Sequence, residues 1–221
     1  MVEPEVAYMD LDGDMDLAED FLCSLVSRVL NKHEKEIKET LERDVEPLKK
    51  VQKPFPRMSY DDAVKMIEKL GAEATDPELK ESLKIEWGMD FGSPHETELT
   101  KKFDRPVMVF NYPYAVKAFY MKRDPSNPRV ARCVDVLAPE GYGEIIGGGQ
   151  REDDLKTLEA ALERHQLPRA PFEWFMDLRR YGSVPHAGFG LGVERTVAWI
   201  CGLHHVRETI PFARTMDRLA P

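Results

Sequence analysis

GFGLGVERTVAW, residues 188–199, sets alternating glycines against a Glu-Arg pair and then turns apolar. Its reading decides between the parallel nucleotide-binding folds and another architecture. Glycines let a backbone approach a ligand closely, and free N–H groups at a helix start attract anions. Gly188, Gly190 and Gly192 ahead of a helical run therefore point to a nucleotide site, with a plain structural turn as the open alternative on this segment alone. A dinucleotide fingerprint needs GxGxxG after a strand, then a further strand with an acid about 20 residues on. Too little chain follows Trp199 for that. A P-loop needs Lys-Ser or Lys-Thr after its last glycine, and Val193-Glu194 stands there instead. Both common phosphate loops are excluded. Arg195 falls in the first turn of the helix, where its charge opposes the positive end of the dipole, a placement that makes sense with an anion in front of it.

Composition sets the frame around that segment. The 221 residues suffice for one large domain or two small ones, and 42% hydrophobic residues supply a core. No apolar run reaches the ~18 residues of a membrane helix, and MVEPEVAYMD is acidic where a signal peptide is basic, so no membrane association and a cytoplasmic location are expected. Cys23, Cys133 and Cys201 are odd in number and far apart, which fits small core residues rather than disulfides or a zinc site. A net charge of -9 argues against broad nonspecific nucleic-acid binding. From Pro171 onward six arginines face five acids, so the C-terminal part is the better place for an anionic ligand.

Periodicity predicts a helix from Asp16 to about His33, through Leu17, Phe21, Leu25 and Val29. Residues 31–53 are mostly charged and read as a solvated helix or excursion. Ser59-Tyr60-Asp61-Asp62 predicts a cap for a helix carrying Ala63, Met66, Ile67 and Leu70, with Gly71 as its stop. Residues 71–100 read as an irregular site border or surface insertion. From Arg105 the texture changes: VMVFNY (107–112), KAFYM (117–121), RVARCVDVLA (129–138) and GEIIGGG (143–149) are β-rich runs separated by turn chemistry, a pattern for an antiparallel meander. Helices are predicted over 153–165, 171–181 and 192–203, the last with Val193, Val197, Ile200 and Cys201 on one face. The expected class is α+β, an antiparallel sheet flanked by helices, with 31–104 as a peripheral helical region and 105–221 as the site core.

Asp135 and Glu144 lie on consecutive strands joined by APEGYG, so a hairpin can bring their carboxylates to one face, where a divalent cation would suit them. The alternative is two ordinary solvent-facing acids. Gly147-Gly148-Gly149 is poor for packing and makes sense where a ligand lies flat on the backbone. Arg151 follows at the edge of that floor, suited to fork onto a carboxylate or amide oxygen, or to make a surface ion pair.

VDVLAPEGYGEIIGGGQRED with WFMDLRRYGSVPHAGFGLGVERTVAWICGLHHVRETIPFART resembles the C-terminal half of a class II aminoacyl-tRNA synthetase catalytic domain, of the asparaginyl kind. GFGLGVER resembles that class's third motif, MVEPEVA the tail of its second, and PFPRMSYDDAV and WGMDFGSPHE also fit, so the likeness spans essentially the whole chain. It implies a bent ATP above the last strand and helix, contacted by Gly190, Gly192, Val193, Glu194 and Arg195, with Arg195 on the γ-phosphate. It further implies that Glu144 and Asp135 hold magnesium and phosphate oxygens, that Glu144 and Arg195 carry the chemistry, and that Gly147, Gly148 and Arg151 line the amino-acid site. Gln150-Arg151-Glu152 looks asparaginyl, since aspartyl relatives tend to continue this arginine with an Ile-His-Asp type run. His186 is expected in the pocket wall, and His204-His205 at the end of the last helix.

The first motif, the body of the second and an anticodon-binding domain have no counterpart in these residues, which points to a piece of a longer enzyme, or to a shortened paralogue. The resemblance implies asparagine, ATP and tRNA(Asn) as substrates and a homodimer for the full-length enzyme. Alternatives are an aspartate-specific enzyme of the same fold and a noncatalytic nucleotide-binding or interaction paralogue.

Overall fold

The β-rich runs after Arg105 become the middle of one six-stranded sheet in the computed structural model, which describes residues 1–220. The strands are β1 (Glu5–Ala7), β2 (Arg57–Ser59), β3 (Val107–Phe110), β4 (Cys133–Ala138), β5 (Gly143–Gln150) and β6 (His186–Leu191), in spatial order β1-β6-β5-β4-β3-β2. β3, β4 and β5 come from three of the four runs expected to form an antiparallel meander and pair in that way, β6 joins them antiparallel from outside those runs, and β1 closes the far edge antiparallel to β6. The sheet as a whole is mixed, because β2 runs parallel to β3. Parallel neighbours need a long crossover. Residues 60–106 supply it through α3 (Tyr60–Glu73), α4 (Pro77–Ser82) and α5 (Ser93–Thr100).

KAFYM is not a strand; only Met121 makes an isolated bridge, to Arg151. Its β-type composition reflects burial of Phe119 and Met121 rather than ladder pairing. The expected strand over 129–138 likewise begins only at Cys133.

Strand alternation gives the sheet two unlike faces. On the back, Met108, Val134, Val136, Ile146, Phe189 and Leu191 meet α1 (Leu11–Glu39) and α8 (Val193–Cys201). Leu22 and Trp199 are fully buried there, and Phe21 meets Phe189 with ring centroids 6.1 Å apart. Burying each such large apolar side chain contributes about 1.5–3 kcal/mol. α1 starts at an Asp10 cap and runs well beyond His33. The solvated excursion expected over 31–53 is instead half core: Ile37, Val45, Leu48 and Val51 are buried, Leu48 within α2 (Glu46–Lys49). Charged residues such as Glu34 and Lys38 pair on its outer side and hide those sparse apolar positions in the composition. In α8 the buried residues are Thr196, Ala198, Trp199 and Ile200, while Val193 is exposed, so the core face lies around Trp199.

On the front, Val107, Val109, Cys133 and Leu137 pack against Tyr60, Ala63, Val64, Ile67 and Leu99 from α3 and α5. Ser59 caps α3 as expected, its Oγ accepting from Asp62 N–H at 3.2 Å, but the helix passes Gly71 and ends at Glu73, with Ala74 as its C-cap. The 71–100 stretch read as irregular thus holds two short helices. α6 (Leu155–Arg164) and α7 (Glu173–Arg180) form a third cluster with Phe119. Among the described residues no helix is long and apolar enough to cross a membrane.

Candidate functional site

The register between β5 and β6 pairs Gly147 with Gly190 and Gly149 with Gly188, glycine against glycine on the front face. Between them Gly148 pairs with Phe189 and faces the back. The front of these two strands is therefore bare backbone. A Cβ at Gly147 would meet Glu144 Oε1 at 2.7 Å, and one at Gly190 would meet Met1 Cε at 2.6 Å. Gly148, expected in the floor, is not part of it: its Cβ would meet Phe189 Cβ at 2.5 Å in the α1 layer. Period-two alternation separates it from Gly147, and Gly149, at φ +150°, lies so close to β4 that a Cβ there would meet the Arg132 carbonyl at 2.5 Å.

Asp135 pairs with Gly147, and a register shift at Val136/Leu137 sets Glu144 opposite Leu137. That irregularity lets both carboxylates lean over the same spot, with Asp135 Oδ1 3.6 Å from the position of a Gly147 Cβ. Lys117 Nζ holds Asp135 Oδ2 at 2.7 Å, lies 3.5 Å from Asp90 and sits 3.8 Å over the Tyr112 ring. Glu144 Oε2 stands 3.5 Å from Arg195 Nη1, which also donates to the Glu144 carbonyl at 2.7 Å. Burial, with Asp135 adding its negative charge, raises the Glu144 carboxyl above its ordinary range.

Sequence reading missed Glu96 of α5. Its Oε2 accepts the Glu144 N–H at 2.9 Å, and burial pushes its carboxyl up to about 7 against the pull of that N–H, with Glu144 and Asp135 adding to the rise. The only signal was the Ser93-Pro94 helix start three positions before it, inside a stretch otherwise without periodicity.

Cavities open on both sides of the Arg195–Glu144 pair. One, of 570 Å³, is lined by Gly190, Gly192, Glu194, Arg195 and Arg207. The other, of 770 Å³, is lined by Glu96, Tyr142, Glu144, Arg195 and His204. Both volumes suit a nucleotide-sized ligand. The Val193 side chain lines an apolar groove with Leu25, Val29 and Ile200, which leaves its backbone at the start of α8 for the expected nucleotide contact.

At the other end of the floor Arg151 forks onto Glu5 of β1, Nε to Oε1 at 3.0 Å and Nη2 to Oε2 at 3.1 Å. His186 stands beside them, its Nε2 3.3 Å from Arg179 Nη2 and its Nδ1 2.8 Å from the Val184 carbonyl. This end thus offers a partly buried cation balanced by an exposed anion.

Among the described residues no three His, Cys, Asp or Glu side chains gather into a self-contained metal cage. The donor set nevertheless fits magnesium, which takes oxygen ligands and is often held by one or two carboxylates plus substrate phosphates. Glu144, its carboxyl raised by burial and a like charge, is a group that a cation relieves, and Asp135 keeps Oδ1 turned to the same spot.

The family model of class II tRNA synthetases (D, K and N) matches residues 1–216. An asparagine–tRNA ligase of Sorangium cellulosum is 63% identical across this whole chain, which covers 50% of that protein, and one of Koribacter versatilis is 56% identical, covered to 49%. The crystal structure of asparaginyl-tRNA synthetase from Pyrococcus horikoshii complexed with asparaginyl-adenylate superposes with a TM-score of 0.90 at 46% identity, over 99% of this chain and 48% of that one. The chain spans about half the length of the curated relatives it matches.

Proposed function

The chain belongs to the class II tRNA synthetases of the D, K and N group, and from that membership we propose that it is the ATP- and amino-acid-binding part of an asparagine–tRNA ligase. The observation that carries this is the Arg195–Glu144 pair at the end of an all-glycine floor, in a chain 63% identical to such a ligase. In the proposed reaction the asparagine carboxylate attacks the α-phosphate of ATP, giving asparaginyl-adenylate and pyrophosphate. The terminal ribose hydroxyl of tRNA(Asn) then attacks the acyl carbon of the adenylate and takes the aminoacyl group, with AMP as the leaving group.

No protein nucleophile is needed, because this chemistry rests on positioning and charge neutralisation. Arg195 meets the γ-phosphate in front of α8, and Gly190, Gly192 and Glu194 line the nucleotide cavity. Gly147 and its partner Gly190 let the ligand lie against the backbone. Glu144 and Asp135 would hold magnesium, which when bound offsets phosphate charge. Arg151, oriented by Glu5, takes the amino-acid end. Selectivity for an amide over a carboxylate comes from polar groups whose mispairing is costly. The Gln150-Arg151-Glu152 sequence favours asparagine over aspartate. A cytoplasmic homodimer belongs to the same reading of the whole enzyme.

The test is pyrophosphate exchange by the 221 residues and by a full-length enzyme containing them, each with asparagine and with aspartate. Asparagine-dependent exchange by the long protein alone is expected, since these residues contain neither the first motif nor the body of the second. Exchange driven by aspartate, or by neither amino acid in the long protein, would overturn the assignment.

A further inference from the structure

Glu144 is held through its main chain from two directions. Its carbonyl accepts from Arg195 Nη1 at 2.7 Å, and its N–H donates to Glu96 Oε2 at 2.9 Å. The next residue of α5 grips the same turn, Thr97 Oγ1 donating to the Gly141 carbonyl at 3.2 Å. The turn is shaped to be gripped. Gly141 (φ +88°) and Gly143 (φ +72°) adopt backbone that side chains disfavour, and a Cβ on Gly143 would run into the Glu96 side chain. α5 therefore fixes the start of β5 just beyond the register shift that turns Glu144 toward Asp135.

We propose that Glu96 is a positioning residue of the ATP site: by holding the Glu144 N–H from α5 it fixes where the Glu144 carboxylate and its Arg195 partner stand over the glycine floor. Glu96 lines the 770 Å³ cavity beside both residues, so its removal leaves the pair loose on the ligand side rather than opening a hole in the core. Arg151 and Glu5 bond to each other at the other end of the floor, away from the Glu96–Glu144 bond, so binding of the amino acid is expected to be insensitive to it. The assignment rests on the proposed ligase activity, and its test separates the two.

In the full-length enzyme, Glu96→Ala is expected to lower kcat for asparagine-dependent pyrophosphate exchange, and to raise the magnesium concentration for half-maximal rate, each by about 10- to 100-fold, as for other groups that orient a metal-binding side chain. The KM for asparagine stays within about twofold on the same reasoning, because its end of the floor is untouched. ATP–magnesium affinity, measured by calorimetry without asparagine, weakens about tenfold or more. Glu96→Gln keeps an oxygen acceptor for the Glu144 N–H and is expected to restore most of the loss. Should the alanine variant not fold, Glu96→Asp, one methylene short of that N–H, carries the same expectation. Unchanged nucleotide affinity and magnesium requirement in a folded Ala or Asp variant, or a Gln variant as impaired as Ala, would overturn the role. A wild-type enzyme without asparagine-dependent exchange would instead overturn the activity itself.

Discussion

The two faces of β5 and β6 are built on opposite rules. On the back, Ile146 pairs with Leu191 and Gly148 with Phe189, closed over by α1 and Trp199. On the front, Gly147 pairs with Gly190 and Gly149 with Gly188, with carboxylates and guanidinium groups gathered above. The front forgoes the apolar burial that the back supplies. The same strands thus separate stability from ligand contact by residue parity, and single substitutions can address either face.

The largest effect is expected on the back. Trp199→Ala removes a fully buried indole and should cost about 3–5 kcal/mol in urea unfolding. Nucleotide affinity of the folded fraction should be unchanged. A variant of normal stability that has lost ATP binding would break the division of labour.

Next comes the front. Arg195→Ala should reduce pyrophosphate exchange by about 10²- to 10³-fold, the usual loss for a charged donor aimed at developing charge. Its ion pair with Glu144 is half exposed, so the thermal midpoint should hardly move. A fall in stability with exchange intact would assign Arg195 to structure.

A smaller and sharper contrast uses neighbours. Gly148→Ala drives a methyl against Phe189 and the Gly188 carbonyl and should destabilise by about 1–3 kcal/mol while sparing ligand constants. Gly147→Ala raises a methyl through the floor beside Glu144 Oε1 and should weaken ATP binding about tenfold or more while costing less stability. Unfolding curves and calorimetry on both variants would expose a wrong parity assignment at once, because the two outcomes would be exchanged.

That parity was only half legible beforehand. The Asp135–Glu144 convergence and the Arg195 helix start follow from hairpin and helix rules acting on adjacent residues, and the Ser59 cap and α6 are equally local. Gly148 was misplaced because three consecutive glycines carry no side-chain pattern from which to count alternation. Which way the Val193 side chain turns was equally hidden: its neighbours Gly192 and Glu194 line the cavity, while Val193 itself lines the apolar groove on the other side. Lys117 and Glu96 reach the site from loops and helices far along the chain, so no spacing announces them. The parallel β2 was likewise invisible, being three residues long and paired across a crossover of helices.

The subtlest test concerns a buried acid of the α1 layer. Asp14 belongs to α1, has no exposed surface, and neither carboxylate oxygen has a hydrogen-bond partner. Burial pushes it from 3.8 up to about 7, against the pull of Arg151. A carboxyl raised in the folded state binds its proton more tightly there than in the unfolded chain, so it contributes stability at low pH that is lost as pH rises. The loss begins near the unfolded value of 3.8 and is complete a little above 7. The full linkage amounts to about 4 kcal/mol, and about half of that is expected once the first turn of α1 lets water reach the charged form. Asp14→Asn has no such proton to lose. The wild type should therefore fall behind the variant by about 2 kcal/mol between pH 4 and pH 7.5 in urea unfolding, with the gap opening as pH rises. Parallel curves would mean that Asp14 ionises freely, and hence that water already reaches the back layer beneath Gly149.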